Sequence, residues 1–129
     1  MVVNRSAKSY PETLEALVAA IESRGLTVFA RIDHAAGARE VGMELPDEEV
    51  VLFGNPRSGT PLMQDDPEVG IELPLRILIW SSGDDVLLGY RDPRELADTY
   101  EVKAHEQTLE QMAGLLSALV SEAAALGVS

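Results

Sequence analysis

The segment 54–60 carries the residue types and spacing that come nearest to a chemical site. It reads Gly-Asn-Pro-Arg-Ser-Gly-Thr, with two glycines five residues apart at the end of an apolar run. A phosphate-binding P-loop requires Lys and then Ser or Thr after the second glycine, but Thr60-Pro61 follows here. Pro56 and Pro61 also lack the backbone N–H groups that would cradle a phosphate. The pattern therefore excludes a nucleotide-binding P-loop.

Without a P-loop, the segment is predicted to be a constrained connection whose polar side chains are Asn55, Arg57, Ser58 and Thr60. Arg57 is one of two basic residues among ten acidic ones in residues 32–74, so it is a local cationic exception. One interpretation is a clamp for an anion or a carbonyl group, built on Arg57. The alternative is structural, because Gly and Pro satisfy turn geometry and Asn55 bonds the local backbone.

The two histidines, His34 and His105, are the other candidates for acid–base or metal chemistry. Such a role requires at least two groups to converge, and neither histidine lies in an H-x-x-x-H or H-E-x-x-H spacing. The chain has no cysteine, which excludes disulfides, thiolate nucleophiles and thiolate metal ligands. We therefore expect no metal and no cofactor, and the sequence assigns no catalytic residue.

Apolar side chains offer a second kind of site. Met43, Met63 and Met112, together with Leu62, are candidates to line an apolar cavity; the alternative is that they fill the core. Trp80 lies on the most apolar strand, and we expect it to pack under a helix.

The formal net charge is −12, from 22 Asp and Glu residues against 10 Lys and Arg residues. Such a surface repels phosphate-rich partners at long range, so we expect neither nucleic acid nor a membrane as a partner. No basic start precedes an apolar core of roughly 7–15 residues, and no stretch approaches the roughly 20 apolar residues of a membrane span. These features predict a soluble cytoplasmic protein with a single domain over residues 1–129.

Hydrophobic periodicity predicts the elements that must position these residues. Helical spacing of apolar residues indicates helices at 10–24 and 106–126, and Asp92-Pro93 begins a short helix that ends near Tyr100. Alternation and apolar runs indicate strands at 2–6, 26–33, 49–54, 75–81 and 86–91. In the second strand we expect one face to carry Leu26, Val28, Ala30 and Ile32.

Two segments give no strong signal: residues 35–42 predict one helical turn at most, and residues 55–74 predict an irregular connection. The resulting order is β-α-β-β-β-β-α with short helical insertions. This order predicts an α+β fold, in which helices pack on one face of an antiparallel sheet.

Four motifs, in order, resemble a known family. They are Ile32-Asp33-His34, the segment 53–63, the segment 70–76 and Tyr90-Arg-Asp-Pro93. Together they resemble the bacterial and archaeal family catalogued as domain of unknown function 302, over nearly the whole chain. The resemblance implies a TATA-binding-protein-like α+β unit that forms homodimers, with no established activity. It marks motif positions, which include Gly54, Asn55, Pro56, Gly59, Thr60, Leu62, Met63, Asp92 and Pro93.

Three functional hypotheses stay open. The first is a non-enzymatic homodimer that binds a small molecule between the sheet and the 54–63 segment; its candidate ligand-binding residues are Asn55, Arg57, Thr60, Met63 and His34. The second is a structural or protein-interaction module whose acidic surface meets a basic protein. The third is a small-molecule enzyme in which His34 is the acid or base and Arg57 stabilises negative charge, which requires the two side chains to converge.

Overall fold

A computed structural model describes residues 1–125 of the chain, so the predicted helix end at 126 lies outside the described residues. The strands are β1 (Val2–Arg5), β2 (Thr27–Asp33), β3 (Glu48–Gly54), β4 (Leu75–Ser82) and β5 (Asp85–Tyr90). The α-helices are α1 (Tyr10–Ser23), α2 (His34–Glu40), α3 (Pro56–Asp65), α4 (Leu96–Thr99) and α5 (Glu106–Ala124). Short 3-10 helices span Pro67–Glu72, Pro93–Glu95 and Lys103–His105. The predicted α+β class is confirmed.

The five strands form one sheet in the order β1-β5-β4-β3-β2, and every neighbouring pair is antiparallel. Helices α1 and α5 pack against each other and against one face of this sheet. Alternate residues of the strands face the two helices and form a hydrophobic core with them. Its fully buried members from the sheet are Val51, Phe53, Ile77, Ile79 and Leu88.

The opposite face of the sheet lies away from α1 and α5, and Trp80 belongs to it. Trp80 follows Ile79, which is buried in the core, so the pleat turns the indole to the other side. There its ring covers Gly89, where an added Cβ would lie 3.1 Å from Trp80 Cζ3. The expectation that Trp80 packs under a helix therefore does not hold for α1 and α5, because a residue beside a core position points away from the core.

Strand β2 does not keep one apolar face along its length. Val28 pairs with Phe53 but Ala30 pairs with Leu52, so the register shifts between them and Phe29 is the extra residue of a bulge. Val28 consequently faces the helices, whereas Ala30 and Ile32 face the opposite side. The bulge also leaves Phe29 half exposed beside Gly54.

Residues 55–74 are regular rather than irregular, because α3 and a 3-10 helix occupy most of them. Asn55 caps α3: its side-chain Oδ1 accepts a hydrogen bond from Arg57 N at 2.9 Å, and Pro56 occupies the first helical turn. Leu62 of this helix is fully buried in a second cluster with Val69 and Leu109. Helix α2 similarly replaces the single turn expected at 35–42, with Asp33 as its cap.

Candidate functional site

A cleft of about 290 Å³ lies where the Gly54 end of the sheet meets helices α3 and α5. One wall comes from β2 and the residue before it, and a second comes from α3. The third comes from residues 70–75, and the fourth from α5. Most of the lining side chains are apolar: Leu26, Phe29, Pro56, Met63, Leu73, Pro74, Leu75, Met112 and Leu115.

Helix α3 lines the cleft with a stripe at helical spacing. Pro56, Gly59, Thr60 and Met63 stand at positions i, i+3, i+4 and i+7, and all four belong to the lining. Because successive helical residues point about 100° apart, Arg57 lies off this stripe. The spacing of residues 56–63 is the sequence signal for this wall, but it indicates a wall only if the segment is helical. Gly59 and Pro61 both disfavour a helix, so the sequence does not predict one here.

Three polar side chains border the cleft: Asn55, Ser58 and Thr60. The Oδ1 atom of Asn55 is engaged by Arg57 N. Its amide NH₂, and the hydroxyls of Ser58 and Thr60, form no hydrogen bond within residues 1–125. The cleft therefore combines apolar walls with a small group of hydrogen-bond donors, as small-molecule sites do.

Glycine occupies three wall positions, namely Gly54, Gly59 and Gly70. Gly59 lies inside α3 without a positive φ, so the backbone does not require glycine there, and glycine costs a helix interior roughly 0.5–1 kcal/mol relative to alanine. The side chain of Met63 fills the space beside two of them. Its Sδ atom would lie 3.2 Å from a Cβ added to Gly70, and its Cε atom 4.0 Å from one added to Gly59.

Arg57 and His34 do not line the cleft. Arg57 is exposed in the first turn of α3, and within residues 1–125 no carboxylate lies within 4.0 Å of its guanidinium. His34 is exposed at the start of α2, beside the Glu49 end of β3. Glu49 and Gly54 are separated by about 17 Å of strand, so the structure places His34 and Arg57 at opposite ends of β3.

The polar motif residues that precede helices act as caps. Like Asp33 and Asn55, Asp92 accepts a backbone hydrogen bond at the start of a helical turn, from Arg94 N at 3.0 Å. The Arg94 guanidinium also donates to both Asp92 oxygens and holds the pKa of that carboxyl below its usual range. Pro93 follows as the first helical residue. Asp92 and Pro93 thus have a structural role, which is to begin a helical turn outside the cleft.

Glu72 connects two further motif segments, 70–76 and 90–93. Tyr100 donates a hydrogen bond from its hydroxyl to Glu72 Oε2 at 2.9 Å, and this bond raises the pKa of the tyrosine. Arg91 lies 3.6 Å from the other Glu72 oxygen. The segments 70–76 and 90–93 are therefore held together by an ion pair at the surface.

The described residues contain no group of three or more His, Asp or Glu side chains that could hold a metal ion. His105 instead pairs with Asp65, with 2.6 Å between Nε2 and Oδ2, and connects the start of α5 to the end of α3. Among residues 1–125, no helix is both long and apolar enough to cross a membrane.

Sequence reasoning identified part of the cleft and missed the rest. Asn55, Thr60, Met63 and Met112 line it, whereas Met43 and Leu62 do not; Leu62 is core and Met43 is exposed. The remaining walls come from segments far apart in the chain, which no local pattern could bring together.

Comparison with known proteins relates this chain to two groups. It is 44% identical over 103 residues to "Fluoride-specific ion channel FluC 1" of Brucella suis biovar 1, covering 79% of this chain and 41% of that protein. The identity is the same to "Fluoride-specific ion channel FluC 1" of Brucella abortus biovar 1, of which 38% is covered. The chain thus spans less than half the length of these curated relatives.

Among solved structures, an uncharacterized conserved DUF302 protein from Bacillus stearothermophilus has the same fold. The TM-score is 0.84, and the match covers 95% of this chain and 96% of that chain at 16% sequence identity. The sequence profile described as "Domain of unknown function DUF302" matches residues 2–119. This chain therefore belongs to the DUF302 family.

Proposed function

We propose that this protein is a non-enzymatic binding module that holds a small, largely apolar molecule in the cleft between α3, α5 and the Gly54 end of the sheet. The observation that carries the proposal is the lining itself: nine apolar side chains and three polar ones line an open cleft of about 290 Å³. This volume is near the lower end of the roughly 300–1,000 Å³ that small-molecule sites occupy.

Binding is favoured over catalysis by the chemistry of the walls. None of the fifteen residues that line the cleft is Asp, Glu, His, Lys, Arg or Tyr. General acid–base catalysis requires such a group within hydrogen-bond reach of the reacting atom, directly or through one water. The separation of His34 from Arg57 along β3 also supports binding over the enzyme hypothesis, which requires these two side chains to converge.

A thermal-shift panel tests the proposal. We expect members of a set of alkyl and aryl acids, amides and amines of about 8–14 heavy atoms to raise the melting temperature. A ligand at a hundred times its Kd adds about 2.7 kcal/mol, or roughly 8–13 °C for a domain of this size. Sugars and polar amino acids of the same size are the control and should give no shift. A panel in which no apolar member raises the melting temperature would contradict the proposal.

The Brucella relatives support a second candidate function. Their name concerns fluoride channels, and 103 of their residues align with this chain at 44% identity. We propose, as this second candidate, that the chain serves as an accessory module beside a fluoride-handling channel. The test is to delete the matching segment from the Brucella suis protein and to measure growth in sodium fluoride, with and without this chain supplied separately. Resistance should fall and then return; unchanged resistance after deletion would exclude this role.

The homodimer implied by the family resemblance also stays a prediction. What supports it is the sheet face opposite α1 and α5, which carries the half-exposed apolar residues Val3 and Ile32. A second copy would bury this surface, and sedimentation velocity would decide between monomer and dimer.

A further inference from the structure

We infer that the ligand of the cleft is an aromatic monocarboxylate: an apolar ring for the walls, and a single anionic end that accepts hydrogen bonds from Asn55, Ser58 and Thr60. The inference rests on the proposed function and specifies its ligand class. It follows from three observations, which concern the hydrogen-bonding groups, the local charge and the apolar walls.

The first observation concerns the polar side chains at the cleft, which have hydrogen-bonding groups not used within the described residues. The Oδ1 atom of Asn55 already accepts a hydrogen bond from Arg57 N. The part of the Asn55 amide that can still bind a ligand is therefore its NH₂ group, which only donates. The hydroxyls of Ser58 and Thr60 form no hydrogen bond within the described part of the chain, so each can either donate or accept. A carboxylate can accept from the Asn55 NH₂ and from both hydroxyls, whereas an ammonium group can bond only the hydroxyl oxygens and would meet the Asn55 NH₂ donor to donor.

The local charge points the same way. No carboxylate is among the lining residues, although the chain carries 22 Asp and Glu residues. A cation bound here would find no acidic partner among the lining residues, and an anion would meet no charge repulsion from them, so the lining favours an anion over a cation.

The apolar walls suit an aromatic ring. Met63 and Met112 place two thioethers in the lining, and thioether sulfur makes favourable contacts with aromatic edges. Phe29 adds a half-exposed ring, and the backbone of Gly59 permits close approach. Met63 is also flexible and partly exposed, so its side chain can move aside from Gly59 and Gly70 to admit the ring.

Two compounds that share a phenylpropyl body test the inference: 4-phenylbutyrate and 3-phenylpropylamine, titrated by calorimetry near neutral pH. We expect the carboxylate to bind at least tenfold more tightly than the amine. This result would be opposite to the preference that a net charge of −12 alone would give.

The variant Asn55→Asp provides the matched test. Aspartate caps a helix as well as asparagine does, so the melting temperature should stay close to that of the wild type. The change removes the NH₂ donor and adds a negative charge, so affinity for 4-phenylbutyrate should fall at least tenfold while affinity for the amine stays equal or rises.

The possible outcomes distinguish an error in the ligand class from an error in the location of the site. If the amine binds as tightly as the acid, and the substitution Gly59→Leu, which fills the cleft, abolishes binding of both, the carboxylate inference is wrong but the cleft still binds small molecules. If Asn55→Asp leaves the affinity for 4-phenylbutyrate unchanged, the inference is wrong as well. If neither compound binds to the wild type, both the inference and the proposed use of the cleft are contradicted.

Discussion

Replacing Gly59 with leucine is expected to reduce small-molecule binding roughly a hundredfold while leaving the protein folded. A Cβ at this position would lie 3.3 Å from Leu73 Cδ1 and 4.0 Å from Met63 Cε, and both neighbours line the cleft. A leucine side chain would therefore occupy ligand space, and the expected hundredfold loss of affinity corresponds to about 2.7 kcal/mol. Calorimetric titration of 4-phenylbutyrate measures the effect.

The fold should tolerate this change for two reasons. The closest contact is the free end of a flexible side chain, which can move by a few tenths of an ångström. Glycine in a helix interior is also unfavourable, so leucine recovers about 0.5–1 kcal/mol from helix propensity. We therefore expect an equal or higher melting temperature together with the loss of binding.

Gly114→Leu is the matched control, because Gly114 lies within α5 and nothing comes within 4 Å of a Cβ added there. This variant should gain the same helix propensity and bind like the wild type. The proposed site is wrong if Gly59→Leu retains affinity within about threefold of the wild type, or if Gly114→Leu loses as much.

Phe53→Ala is expected to be the most destabilising of the substitutions considered, by about 3–5 kcal/mol. Phe53 is fully buried in the main core and is the last large side chain of β3 before Gly54 and Asn55. Removing the ring leaves a cavity that the packed sheet and helices cannot fill by relaxing. Urea unfolding should show a lower midpoint, and the melting temperature should fall by roughly 10–20 °C.

Leu52→Ala is the control for the same strand. Leu52 is only partly buried and lies on the face opposite α1 and α5, so its truncation should cost less than half as much. Equal costs for the two variants would show that the sheet buries both faces equally, which would contradict a core confined to the helical side.

Local signals predicted the elements that have strong local causes. Helix α1 is capped by Ser9, whose Oγ accepts from Glu12 N at 3.3 Å and donates to the Glu12 carboxylate at 2.7 Å. The strand bounds agree within one residue because alternation and turn residues define them. The extra residue at Phe29 was not predictable, since an alternating pattern does not show where a bulge interrupts it.

Helix α3 was missed for a different reason. Gly59 and Pro61 both disfavour a helix interior, and the missing N–H of Pro61 removes one helical hydrogen bond. The helix is stabilised instead by the Asn55 cap and by burial of Leu62 against residues distant in sequence. Tertiary packing outweighs local propensity here, and a single sequence does not display that packing.

The candidate site was predictable only where one segment supplies it. Asn55, Thr60 and Met63 all come from the 54–63 segment, so they could be assigned to one site even when the segment was interpreted as a loop. The same interpretation grouped Arg57 with them, whereas the structure does not place Arg57 among the lining residues. Phe29 and Leu115 reach the cleft through the sheet order and the path of α5, which only the folded chain defines.

The methionine methyl groups offer the most direct test that the cleft binds a small molecule. The chain has four methionines; Met63 and Met112 line the cleft, whereas Met1 and Met43 are exposed elsewhere. In methyl NMR spectra of methionine-labelled protein, 4-phenylbutyrate should shift the Met63 and Met112 signals and leave those of Met1 and Met43 in place. Unchanged Met63 and Met112 signals at saturating 4-phenylbutyrate, or shifts confined to Met1 and Met43, would contradict the account.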